Sequence, residues 1–260
     1  MRSNQELDPK LQQAGLLNHI NKIKKYSKVL VPLLYLIIGS FITIYNVENP
    51  TDSLTQRWLS YSDVLGMTWD MILLVVVASA GAILTSVPLG ILITRPTFRW
   101  LTPIVDAPVN VGQTVPSLAI IALSFTVLGI GFQTALFALW LYSLLPILRN
   151  TSIGLKSVDS GVLEAAKGMG MTSLRIFTKI EFPLALPVIM AGIRTAMVIC
   201  TGAATLATFI GAGGLGDLIV TGLSLARYQI VFVGAALAAL LALLIDNLLG
   251  TLENYLLSRS

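Results

Sequence analysis

Six apolar runs, each cut from the next by a short polar stretch, leave this chain few ways to fold. They cover residues 29–45, 67–94, 103–128, 132–148, 184–210 and 228–250. A helix crosses ~30 Å of hydrocarbon in ~17–25 residues, so each run is long enough to span a membrane. In lipid a spanning segment must satisfy its own backbone N–H and C=O groups, which a helix does. Charged residues make up 12% of the chain, against ~25% in soluble domains. The sequence therefore predicts an all-α integral membrane protein with about six transmembrane helices. A single cysteine, Cys200, sits in an apolar run, which excludes a disulfide framework. No GxxxxGK[ST] phosphate loop occurs in the chain. If ATP drives this protein, another chain must bind it.

The basic residues order the runs. Fourteen of the 17 Lys and Arg fall in segments 1–28, 95–102, 149–183 and 251–260, which alternate with segments holding only Arg57 and Arg227. The positive-inside rule then places both termini and the 149–183 segment in the cytoplasm. The 55% hydrophobic content and membrane-ordered charge give the net +4 no need of nucleic acid. Residues 1–28 form a basic cytoplasmic segment, either an interfacial amphipathic helix or a loose tail. The first apolar run begins too far in for a signal peptide, and no small-residue cleavage site follows it.

Polar groups inside the runs are the candidate functional residues. Asn110, Gln113, Thr114, Pro116 and Ser117 interrupt the third run. Polar groups at membrane depth face protein or water, so the stretch 110–117 is a candidate wall of a translocation path. Polar residues that only bond neighbouring helices would look the same. Arg194 lies ten residues into the fifth run and needs a partner, Asp106 or Asp246. Gly211-Ala212-Gly213-Gly214-Leu215-Gly216-Asp217 follows that run. No βαβ unit surrounds it, so it is no dinucleotide loop. It predicts a sharp re-entry or a close backbone approach.

Residues 159–183, DSGVLEAAKGMGMTSLRIFTKIEFP, are too polar for the membrane yet lie between two spans. Asp159 predicts a helix N-cap. Gly168 and Gly170 predict the end of that helix. Thr172 predicts the cap of a second short helix over 173–182, ending at Pro183. Glu164-Ala165-Ala166, then Gly170, then Ile180-x-Phe182-Pro183 resembles the EAA loop of ATP-binding-cassette importer permeases, with Phe182 where that family usually has Leu. An ordinary amphipathic loop is the plain alternative.

The resemblance spans roughly residues 64–255, a MetI-like type I permease domain, with 29–45 as an extra first span. VPLGILITRP, GQTVPSLAIIAL, LPILRNTSIGLKSVD and FIGAGGLGD are similar to glycine betaine, carnitine and choline permeases. It implies a bacterial cytoplasmic-membrane subunit that imports an osmoprotectant. Asp159, Glu164, Ala165, Ala166, Gly168, Gly170, Ile180 and Pro183 would couple it to cytoplasmic ATPase subunits. ATP and Mg would be held by those subunits, and no cofactor, metal or catalytic residue is expected in this chain. An extracytoplasmic binding protein, a second permease subunit and the lipid bilayer are the other implied partners. Methionine or another amino acid is an alternative cargo. An ion-coupled secondary transporter is an alternative of another class, supported only by Asp106, Arg194 and Asp246. The only histidine, His19, is outside the spans. Trp140, Tyr142 and Phe125 are the aromatics available to a quaternary ammonium, with no evident cage.

Overall fold

The computed structural model describes residues 30–105, 107 and 114–257. The described residues are helical, with no strand. Five helices are long and apolar enough to cross a membrane: α1 (Leu30–Glu48), α3 (Tyr61–Thr94), α5 (Phe132–Lys156), α7 (Ser173–Ile210) and α9 (Tyr228–Leu257). Shorter α-helices are α2 (Ser53–Trp58), α4 (Ser117–Leu128), α6 (Ser160–Gly168) and α8 (Leu215–Ser224), and Pro96–Leu101 forms a 3-10 helix after α3. The expected third span, 103–128, is described as helix at 103–105 and over α4, which covers its second half. The expected N-terminal segment 1–28 lies outside the described residues.

Most spans extend beyond their apolar runs. Helix α3 starts at Tyr61, six residues before its run, because Ser60 caps it by accepting from the Asp63 N–H at 3.2 Å. Helix α5 continues past Arg149 to Lys156, and α9 runs on to Leu257. Burial in lipid locates a crossing, while helix ends are set by caps and by packing in the water-facing layer.

Helix α5 packs between α3 and α7. Between apolar spans there is little hydrophobic drive, so close approach depends on small residues. Gly90 of α3 abuts Thr151 of α5. Gly154 of α5 lies against Val188 and the Ala185 carbonyl of α7. Gly192 of α7 receives Asn150 of α5. Ser86 of α3 adds a hydrogen bond to the Leu144 carbonyl at 3.0 Å. Helix α9 closes the other side of α7 and carries α8 on Gly234, beneath Leu218. Helix α1 lies at the edge of the bundle, with Gly39 near Leu237 and Leu240 of α9.

The chain crosses between two ends. One gathers the tight turn Pro96–Leu101 after α3, α6, the start of α7 and the end of α9, where Leu256 and Phe182 pack against the same apolar cluster. This end holds the basic residues Arg95, Lys156, Lys167, Arg175 and Lys179. At the other end Gly131 donates to the Ile210 carbonyl at 2.8 Å. There Asp52 pairs with Arg227 at 2.5 Å, and Thr51 donates to the Gln229 side chain at 2.9 Å. The Asp52 carboxyl is held below the usual carboxylate range, chiefly by the Thr55 N–H and further by Arg227.

Candidate functional site

The basic end is built around the polar segment between α5 and α7. Asp159 caps α6 as expected, accepting from the Gly161 N–H at 2.6 Å. Only Ala166 of this helix is buried, at 1% exposure. Glu164 and Ala165 are exposed beside it, and Val162 and Met169 add apolar surface. The helix thus rests on one alanine and presents the remainder outward. A small side chain at 166 lets it lie close, and the neighbouring Ala165 leaves the outer face low.

Gly168 ends α6 as expected, but without the positive φ expected of it. It is the last residue of α6, and the turn falls at Gly170, whose φ is +77°. A side chain there would have space but would occupy a left-handed backbone conformation. The Met171 N–H closes this turn by donating to the Ala166 carbonyl at 3.2 Å.

The expected second short helix is not a separate element. Residues 173–182 run straight into the membrane as the start of α7, without a break at Pro183. The Thr172 side chain makes no capping bond. Pro183 is accommodated because the preceding turn, Phe177–Glu181, is a π-helix, in which the Phe182 N–H reaches the Phe177 carbonyl. Widening the helix by one residue relieves the missing amide and the ring clash that a proline brings to a regular α-helix. Ile180 lies half-buried within this π turn.

An ion pair not foreseen from the sequence anchors the segment. Arg95, at the end of α3, donates to both oxygens of Glu181, at 2.8 and 3.1 Å. Its guanidinium also lies 4.8 Å from the centroid of the Phe177 ring. Glu181 is buried, so both its oxygens need the bidentate partner that an arginine offers. Each charge stands near a proline, Glu181 two residues before Pro183 and Arg95 directly before Pro96, but nothing local joins the two across 86 residues.

Of the candidate path residues, Asn110 and Gln113 lie outside the described residues, as does Asp106. Thr114 and Pro116 are exposed, and Ser117 opens α4 half-buried. Arg194 pairs with Asp246 of α9, with a second contact at 2.6 Å. The Gly211–Gly216 segment makes the expected sharp turn, with positive φ at Gly211, Gly213 and Gly214. A Cβ at Gly216 would meet the Thr205 carbonyl. Trp140 donates to the Thr85 hydroxyl at 3.2 Å on α3, while Tyr142 faces a cleft between α5 and α7. Those aromatics do not meet in one cage. No cluster of three or more His, Cys, Asp or Glu among the described residues could hold a metal ion.

Comparison with known proteins agrees with this geometry. Residues 86–258 match the family described as binding-protein-dependent transport system inner membrane component. A glycine betaine/carnitine/choline transport system permease protein of Bacillus subtilis is 47% identical over 176 residues, covering 67% of this chain and 76% of the relative. A carnitine transport permease protein of Listeria monocytogenes is 44% identical over 191 residues, covering 74% and 87%. An osmoprotectant import permease protein of Salmonella typhimurium is 42% identical over 187 residues, covering 72% and 79%. Among solved structures, the inward-facing MetNI methionine ABC transporter shares the fold with a TM-score of 0.66 at 22% identity, covering 75% of this chain and 96% of that one. The exposed loop helix, the long crossing helices and these matches lead to one conclusion: this multi-pass membrane chain belongs to the family of binding-protein-dependent transport system inner membrane components.

Proposed function

We propose that this chain is the permease subunit of an ATP-binding-cassette importer that carries a quaternary ammonium osmoprotectant, such as glycine betaine, carnitine or choline, into a bacterial cell. Residues 64–255 form the permease unit, and the helix within 29–45 is an added span. The basic end faces the cytoplasm, with both termini on that side of the cytoplasmic membrane. ATP is hydrolysed by separate subunits, and a binding protein delivers the solute at the other end. A second permease subunit completes the pathway.

The observation that carries this reading is the presentation of α6. Glu164, Ala165 and Met169 are held outward at the basic end, on a helix whose single buried side chain is Ala166. Such a surface suits a groove in a soluble partner. The choice of solute is supported by the solutes for which relatives at 42–47% identity are named. A methionine cargo has only the likeness of fold behind it. The ion-coupled alternative loses its main support, because Arg194 is already paired with Asp246.

The test is purification of the complex in detergent with its ATPase, followed by reconstitution and uptake of labelled glycine betaine, carnitine, choline and methionine. ATP-dependent uptake of a quaternary ammonium solute is expected. Uptake driven by an ion gradient without ATP, or uptake of methionine alone, would overturn the proposal.

A further inference from the structure

A cleft of about 420 Å³ opens between α5 and α7. That volume lies in the range of small-molecule sites, roughly 300–1,000 Å³. Tyr142, Pro146, Arg149 and Asn150 form one face of α5, and Thr195 and Ile199 face them from α7. Tyr142, Asn150 and Thr195 belong to membrane-crossing helices, where polar side chains turn to protein or water rather than to lipid.

The proline gives this face a second property. Pro146 has no amide hydrogen, so the Tyr142 carbonyl lacks the donor that a regular helix supplies four residues on. The Asn150 amide is occupied with the Pro146 carbonyl at 2.8 Å. An under-bonded backbone oxygen and a phenol ring therefore share position 142. Methylated ammonium groups bind to ring faces and to partial negative charge of this kind. Arg149 follows two helical turns on, about 10 Å towards the basic end.

We propose that this cleft is a low-affinity station on the solute's route, holding a small methylated ammonium solute with its trimethylammonium against Tyr142. The assignment rests on the osmoprotectant reading above. Low affinity suits a station that must release its cargo inward.

Two measurements on the complete transporter test it. Thr195→Cys is placed in a Cys200→Ala background and treated with a charged, membrane-impermeant methanethiosulfonate. Modification is expected in at least one state of the ATP cycle, and millimolar glycine betaine should slow it at least threefold. Labelling only by a lipid-soluble maleimide would put the cleft against lipid and overturn the proposal. In the uptake assay, Tyr142→Ala should lower glycine betaine transport about tenfold at equal membrane abundance, while Tyr142→Phe stays within about twofold, since the ring carries the contact. Equal loss in both variants would overturn the ring's role. Failure of the unmodified transporter to take up glycine betaine would instead defeat the osmoprotectant reading. The thiol labelling then decides alone whether the cleft lies on an aqueous route.

Discussion

The two ends of the molecule each set a glycine turn beside a short helix, and they are built in opposite ways. At the basic end, Gly170 turns the chain in open space, and α6 buries only Ala166. At the other end, Gly211, Gly213 and Gly214 turn the chain against α3, and α8 buries Leu215, Gly216, Leu218 and Gly222. The Thr208 hydroxyl donates to Asp217 to hold that turn. One end presents an exposed helix, and the other is part of the interior. Similar residues thus serve presentation in one place and packing in the other. Burial, rather than glycine content, decides what a substitution will damage.

The comparison breaks first at Gly216. Gly216→Val should be the most damaging change, because the new Cβ meets a backbone carbonyl that cannot swing aside. Overpacking of this kind typically costs ~1–3 kcal/mol, and contact with backbone puts this site at the upper end or beyond. Membrane abundance and thermal stability in detergent should both fall, and a variant as stable as the parent would show that the outer turn is not packed as described. Glu181→Ala comes next. It strands Arg95 in a partly buried site, at a cost between the ~1 kcal/mol of an exposed pair and the ~3–5 kcal/mol of a buried one. A double-mutant cycle with Arg95→Ala, read by thermal unfolding, should return a coupling of the same sign.

Gly170→Val sharpens the contrast from the presenting side. Left-handed backbone disfavours a side chain by ~1–2 kcal/mol, but nothing crowds the site. Normal insertion with reduced co-purification of the ATPase is the expected result. Normal transport with a full complement of ATPase would remove α6 and its turn from the coupling role. Glu164→Ala should have the smallest effect, a few-fold loss of ATPase binding without loss of stability, since exposed ion pairs contribute ~1 kcal/mol or less. A stability loss comparable to that of Gly216→Val would mean the two ends are not different in kind.

The crossings were legible because apolar length is a demand of the bilayer itself, and five of the expected runs coincide with long helices. Helix ends were less legible. Ser60 and Lys156 extend α3 and α5 into water, where hydropathy carries no signal. Asp159 was readable as a cap because its bond is local. Pro183 misled, since a proline usually ends a helix, and only the π turn before it shows how the helix continues. The Arg95–Glu181 pair was hidden by 86 residues of separation. Arg194 needed a partner on charge grounds, but choosing Asp246 required the packing of α7 on α9.

The continuity of α7 has a mechanical consequence. From Ser173 to Ile210 it is one rod of 38 residues, about 57 Å long at 1.5 Å per residue. Its tightest seat on α5 is at Gly192, nearly halfway along, where Asn150 fits against the backbone. A rod seated at its middle behaves as a lever with that contact as fulcrum. Rocking by about 10° moves each tip ~5 Å, in opposite directions, with arms of ~28 Å set by the helical rise. A push delivered beside Ser173 would thus reappear beside Ile210 with its sense reversed.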